Sequence, residues 1–558
     1  KIFRRNKKMK KGSLLLLLLT ISLLSGCQNT NINSSHSNTM PSSSTTSNSS
    51  SSSNSSNSSS TSTTNPSEDI EKEELDQLFE EEAYIPLVIT SSISLPQTLP
   101  TYHYPLEWEI IDGQETLNLS NFVLSLKDND KIVDGVHAIQ VSIDVLDYQY
   151  TYYCTSHHQN YHQLPIIDIH TENEAFPENK EDYVNGTISV INYENEEYLI
   201  DILNAEMGIR LRGNSTMAAL KKPFRIKFEE KQSLFGLPKA KSWVLLANYY
   251  DKSNIRNYLA YTFANQLDNL DFQPSSIFVE VRFNDDFLGL YLLSEHMQSG
   301  EGRVDIEDDV DSQGYPSYFF ELNERADDAE ENLTEDVDYF ITDYSKNFIY
   351  EYKYPEGATA EQNQYIKNYM METDQAIMNL DNYEEYIDVD SFIDYYIVQE
   401  LFKNVDVGST SQYYVKYANG KLHMGPVWDF DISLGVIGGP DYYRYLSTDL
   451  WVRERDYWYN SLFNDPAFLT RVQQRYTQVH DLILNVYNSI DDLTESLQEA
   501  QEANLQRWPL SYLNNPDLWI ETHYHENYSS LTSLEQHYTY LKDHLSARID
   551  ILDQAYLL

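Results

Sequence analysis

The residues of this chain best suited to chemistry are carboxylates. Asp406 closes the stretch "ELFKNVD" after a helical pattern; a polar loop and a hairpin ("QYYVKY", "ANGK") follow, and "GPVWDFDISLG" then brings Asp429 and Asp431. A loop carboxylate and a second acid one hairpin later fit a division of labour: one accepts a hydroxyl proton, the other holds a cation that bridges phosphates. Asp429 and Asp431 alternate around Phe430 in a run that reads as a buried strand, so both are expected to face one side and one cation. Asp431 either supports that cation or orients Asp429. An unpaired carboxylate in such a run is costly to desolvate, which is a reason to expect a ligand there.

The opposite charge is concentrated elsewhere. "MGIRLRGNSTMAALKKPFRIKFEEK" carries Arg210, Arg212, Lys221, Lys222, Arg225, Lys227 and Lys231 in one strand-loop-strand run of an otherwise acidic chain. That concentration points to an anion. Gly213 in "RGNST" lets backbone approach a ligand closely, and the alternation of "FRIKF" projects Arg225 and Lys227 from one face of a strand.

Other elements must bring these two sets of charges together. "SNIRNYLAYTFANQL" has Ile255, Tyr258, Leu259, Thr262, Phe263 and Leu267 at helical spacing, with Asn254 or Ser253 available to cap its start. "SSIFVEVRFNDDFLGLYLLSEHM" reads as a hairpin with Ile277, Val279, Val281 and Phe283 on one face, ending in a connection near Glu295. The order is strand, anion-binding loop, strand with a lysine, helix, hairpin, connection, and then a helical half with the acids. Protein kinases order their two lobes this way. The C-terminal stretches "DPAFLTRVQQRYTQVHDLILNVYNSI" and "SLEQHYTYLKDHLSARIDILDQAYL" read as helices that close the second lobe.

From about Leu164 to the C-terminus the sequence resembles the CotH family, the spore coat protein H-like atypical kinases. The resemblance rests on "RGNST", "KKPFRIKF", "LFGLPKAKSWVLLANYYDKSNIRNYLAY", "FLGLYLLSE", "ELFKNVD" and "GPVWDFDISLG", in family order. It implies a divergent kinase fold that transfers phosphate from ATP, with a divalent metal, to Ser or Thr of protein substrates. Carried onto this chain, it makes Asp406 the catalytic base and Asp429 the metal ligand, with Asp431 beside it. Hard oxygen ligands favour Mg or Mn. For the ATP phosphates the foremost candidate is Lys227, followed by Arg212 and Lys222. The chain departs from the family at Met217, where an aromatic residue is usual, and at Val407, where a small turn residue is usual.

Composition frames the rest. The chain has 558 residues, too many for one core, and 39 basic against 87 acidic residues give a formal charge of −48, which argues against a nucleic-acid partner. Arg4, Arg5, Lys7, Lys8, Lys10 and Lys11 precede an apolar run from Leu14 to Leu24 that has the length of a signal segment and is too short for a membrane span. "LSGC" follows and resembles a bacterial lipobox, so residues 1–27 read as a lipoprotein signal peptide with Cys27 as the lipidated residue. Residues 28–67, almost all Ser, Thr and Asn, read as a disordered tether. Period-two runs over 84–160 read as a small β-sandwich (Ig-like) module, with Cys154 a small core residue.

The expected architecture is therefore α+β: a divergent two-lobed protein-kinase-like domain over 164–558, preceded by the sandwich and the tether. The expected setting is extracytoplasmic, anchored to the bacterial membrane by lipid, with surface or secreted proteins as substrates. A non-catalytic surface-binding protein built on the same fold is the alternative.

Overall fold

The computed structural model describes residues 75, 78, 79 and 88–558, apart from 90–91, 115, 128–135, 147, 157–163, 192–199, 285, 325–332, 343–347, 439–449 and 511–518. Packing divides the chain into Lys1–Asp69 and Ile70–Leu558. The first unit, with the signal segment, Cys27 and the whole tether, lies outside the described residues, as does the side chain of Cys154.

Seven short strands open the second unit: β1 (Val88–Ile89), β2 (Ile93–Ser94), β3 (Glu107–Asp112), β4 (Leu117–Ser120), β5 (Val123–Leu126), β6 (Val136–Ile143) and β7 (Tyr148–Ser156). They form a four-stranded sheet in the order β1-β7-β6-β3 and a three-stranded sheet in the order β2-β5-β4. Inward residues of both sheets, among them Leu117, Leu124, Ile139 and Val141, share one apolar cluster, which Leu75 and Phe79 complete.

A closed barrel follows, built from β8 (Ile166–Thr171), β9 (Val184–Ile191), β10 (Ile200–Leu211), β11 (Phe224–Gln232), β12 (Ala240–Leu246), β13 (Ser276–Phe283) and β14 (Asp286–Glu295). Its closure joins β13 to β8 in parallel, with the other ladders antiparallel. Alternation decides which residues go inside. Phe224, Ile226 and Phe228 fill the barrel with Trp243, Leu245 and Leu293, which leaves Arg225 and Lys227 on the outer face, as the period-two reading requires. Arg210 is the cross-strand partner of Arg225, so both guanidiniums leave the barrel on one side.

The barrel's outer face continues into the second core. Val244, Leu246, Phe278, Leu290 and Leu292 pack with helix α1 (Arg256–Ala264) and with a helical region whose main members are α2 (Ala360–Asn379), α3 (Val389–Leu401), α4 (Tyr457–Leu462), α5 (Pro466–Ser496), α6 (Gln498–Arg507) and α7 (Leu534–Tyr556). A five-stranded sheet lies in this region: β15 (Tyr318–Asn323), β16 (Tyr339–Phe340), β17 (Ile349–Tyr354), β18 (Gln412–Lys416) and β19 (Leu422–Met424), in the order β16-β17-β15-β18-β19. Phe320, Leu322, Tyr350 and Tyr414 pack on one face of this sheet, while Glu321 and Tyr413, paired across β15 and β18, lie on the other, where Tyr413 is also part of the core.

The fold is α+β with two lobes, as expected. Sequence reading gave no element between 318 and 354, where the central strand β15 takes its second neighbour, β18, from far along the chain. Two local expectations also change. The start of α1 is not capped by Ser253 or Asn254: Ile255 occupies the cap without a side-chain bond. Asp251 accepts instead from the backbone N–H groups of Ser253 (3.0 Å) and Arg256 (2.8 Å). "GPVWDFD", moreover, is not a strand. The β19 ladder ends at Met424, and the chain runs irregularly through Gly425–Phe430 into a series of turns.

Candidate active site

The acidic segment is irregular because it has no strand partner and borrows its hydrogen bonds from side chains. Pro426 has no N–H to give a ladder. Gly425 N–H donates to Tyr413 O (2.9 Å), Val427 N–H to Gln273 Oε1 (2.9 Å), Asp429 N–H to Tyr261 Oη (3.4 Å) and Phe430 N–H to Asn257 Oδ1 (2.7 Å). Just beyond, Arg256 Nε donates to Ser433 O (3.0 Å). The apolar residues of the run are buried on every side, with Trp428 stacked on Tyr261 at 5.4 Å between centroids and an interplanar angle of 9°. Asp429 takes a left-handed backbone, φ +63°, a conformation that aspartate tolerates better than most residues. The alternation expected for Asp429 and Asp431 is therefore absent, and the way they face is set by this turn.

Asp406 arrives on the loop after α3. Asn404 organises that loop: its Oδ1 accepts from Asp406 N–H (3.1 Å) and its Nδ2 donates to Trp428 O (3.5 Å), so one side chain ties the loop to the acidic segment. The carbonyl of Asp406 accepts from Ser409 N–H (3.0 Å), Ser409 Oγ (2.9 Å) and Thr410 N–H (3.1 Å). Ser411 Oγ lies 3.4 Å from Asp429 Oδ2. The three carboxylates feel one another. Burial first, and then the charges of Asp429, Asp406 and Asp251, hold the Asp431 carboxyl well above the usual carboxylate range, with Arg212 pulling the other way. Burial and the charges of Asp429 and Asp431 push the Tyr261 hydroxyl well above its ordinary value, so it stays neutral.

Arg212 is the cation of this cluster. Its guanidinium sits 5.5 Å from the Trp428 ring, and its charge acts on Asp431, Tyr261 and Tyr413. Further basic groups lie on the same side of the barrel. Arg225 Nη2 donates to Ser242 Oγ (3.1 Å), while the buried Nε atoms of Arg225 and Arg210 have no partner among the described residues. His296 Nδ1 is likewise buried without one. Burial, reinforced by Arg225, Arg212, Lys353 and Arg210, keeps that imidazole neutral.

The other two candidate cations sit differently. Lys227 is exposed, 5.8 Å from the Tyr183 ring, and Lys222 Nζ donates to Met217 O (2.9 Å), which holds down the "RGNST" loop. Glu295, at the end of β14, is engaged by the buried Arg303 guanidinium and by Ser275 N–H (2.9 Å). A cleft of about 400 Å³ between Asp271–Gln273, Gly302–Asp305 and the β18–β19 hairpin reaches Gly425 and Pro426 but contains none of the three acids.

No cluster of three ligating side chains occurs among the described residues. Asp429 and Asp431 together still fit a magnesium-like ion, which characteristically takes one or two carboxylates, waters and the oxygens of a phosphate substrate. The uncompensated charge around Asp431 is the observation that favours such an ion.

Sequence reading missed Asn404, Asn257, Tyr261, Arg256 and Asp251. A signal was present in "NYYDKSNIRNY": a polar-rich stretch entering an apolar helix. Asn248, Asp251, Ser253, Asn254, Arg256 and Asn257 all prove buried, and buried polar groups demand partners.

The family model described as CotH kinase protein matches residues 209–552. That span runs from the end of β10 to α7 and contains Arg212, Asp406, Asp429 and Asp431. No curated protein matches the chain.

Proposed function

The chain belongs to the CotH kinase family, a family of kinase-like enzymes, and from that membership we propose that it is an exported, lipid-anchored protein kinase that moves the γ-phosphate of ATP to Ser or Thr of surface or secreted proteins. The single observation that carries the reading is the meeting of Asp406, Asp429 and Asp431 beside Arg212. The buried Asp431 and the half-buried Asp429 and Asp406 outnumber their basic neighbour, an excess that a divalent cation and phosphates would balance.

Each residue has a distinct task. Asp406, on its loop, takes the proton of the substrate hydroxyl as that oxygen attacks the γ-phosphorus and the bond to the β-phosphate oxygen breaks. Asp429 and Asp431 would hold Mg or Mn, which would neutralise charge on the phosphates. Arg212, with Arg225 and Arg210 behind it, receives phosphate oxygens by charge-assisted bonds. Lys227 and Lys222, the other sequence candidates for ATP, serve at the margin of the site: one is exposed and the other is spent on the loop. Cys27 carries the lipid and residues 28–67 the reach from the membrane, which sets the protein outside the cytoplasm.

The test is transfer of label from γ-labelled ATP to a mixed surface-protein fraction, with Mg or Mn, by wild type, Asp406→Ala and Asp429→Ala. Wild type is expected to label Ser and Thr, and each variant to fall by about 10²–10⁴-fold. Equal, background-level transfer by all three would leave a binding protein on a kinase-like fold.

A further inference from the structure

We propose that Asn257, with Tyr261 one turn along the same helix, is a positioning residue for Asp429: α1 sets the direction of the cation-holding carboxylate by gripping the backbone on either side of it. This rests on the reading of Asp429 as a metal ligand.

Three observations carry it. Asn257 is buried, and its amide can point only one way. Oδ1 accepts from Phe430 N–H (2.7 Å), while Nδ2 donates to Asn248 Oδ1 (3.0 Å), whose own Nδ2 donates to Asn254 O (3.0 Å). Asp429 stands at φ +63°, in the small left-handed region, so its peptides have little room to turn without leaving it. Tyr261 Oη accepts from Asp429 N–H (3.4 Å), and its ring stacks on Trp428, so the peptides before and after Asp429 are both held by α1. If Oδ1 of residue 257 is removed, Phe430 N–H is left buried without an acceptor, which is expensive. The available relief is rotation of the Asp429–Phe430 peptide out of the left-handed region. That rotation swings the Asp429 carboxylate away from Asp431. Displacements of about 1 Å are enough to cost a reacting site two orders of magnitude.

Asn248 supplies the control. It belongs to the same buried network but does not touch the acidic segment, so a merely structural role predicts equal effects at the two asparagines. The full chain is titrated with Mn²⁺ in the presence of ADP, with free Mn²⁺ read by electron paramagnetic resonance and folding by thermal melting. Asn257→Ala is expected to weaken Mn²⁺ binding by about tenfold or more, Asn248→Ala to melt earlier yet bind within about twofold of wild type, and Asp429→Ala to lose the site. Asn257→Ala binding as wild type does, or Asn248→Ala losing as much as Asn257→Ala, overturns the positioning role. Asp429→Ala binding as wild type does overturns the metal reading instead. Should Asn257→Ala fail to fold, Tyr261→Phe carries the comparison, since it keeps the stacked ring and removes only the hydroxyl: weaker Mn²⁺ binding supports the proposal and unchanged binding overturns it.

Discussion

Near helix α1 two sets of charge are treated in opposite ways. On one side Asp251 and Arg256, both fully buried, bond to each other. Asp251 also takes the N–H groups of Ser253 and Arg256, and Arg256 spends its remaining donors on Ser253 Oγ and the carbonyls of Ser433 and Leu434. On the other side Asp431 is surrounded by the charges of Asp429, Asp406 and Asp251, with Arg212 in opposition. The first set is closed and holds the second in place. The second is open: burial and like charges push the Asp431 carboxyl toward its protonated form, an excess that a bound cation would relieve.

Breaking either side separates the two roles. Asp406→Asn should lower the turnover of phosphoryl transfer by about 10²–10⁴-fold while leaving the melting temperature near that of wild type, as a steady-state assay beside a melting curve would show. Asp251→Ala should do the reverse in kind: it strands the Arg256 guanidinium in the core and should cost about 3–5 kcal/mol of stability, measured by urea unfolding. A smaller effect is expected at the phosphate end. Arg212→Ala removes a charge-assisted contact worth about 1.5–3 kcal/mol, so ATP affinity should fall about tenfold or more, whereas Lys227→Ala should change it by less than about threefold. Equal losses at the two positions would return Lys227 to the site.

Acidity gives the gentlest probe of the open set. A carboxyl whose folded-state value is raised holds its proton longer in the folded chain than in the unfolded one. Its contribution is therefore fully present below the ordinary value of 3.8 and is lost as the pH rises toward the folded value. Metal-free protein should lose stability with rising pH for this reason, and Asp431→Asn should flatten the trend. Asp374 acts in the same direction, since burial pushes its carboxyl up to about 6 against hydrogen bonds from Tyr457, Trp458 and Thr342. The Asp431 effect is accordingly read as the difference between wild type and Asp431→Asn, by chemical denaturation of both proteins across the pH range.

What the sequence made legible divides along the same line. Local periodicity was sufficient for α1, for the β13–β14 hairpin and for the long helices α5 and α7. Alternation correctly put Arg225 and Lys227 on one face of β11. It could not say which part of that face meets the second lobe, because the answer depends on β15, β17 and β18 and on where the chain returns. In "GPVWDFD" the same residues that imitate a buried strand, Val427, Trp428 and Phe430, are buried in an irregular segment whose hydrogen bonds come from Gln273, Tyr261 and Asn257. Nothing in a local pattern reveals partners so distant in the chain. Asp406 and Asp429 stood out in the sequence because a loop acid, a hairpin and a second acid follow one another there, in motifs that resemble the family's.

The most direct measurement is the thermal shift produced by Mg–ATP in wild type and in Asp429→Ala. An open acidic pair completed by cation and phosphates predicts stabilisation of wild type by Mg²⁺ and ATP together, little by either alone, and none in the variant. Stabilisation that persists in Asp429→Ala, or its absence from wild type, would contradict it.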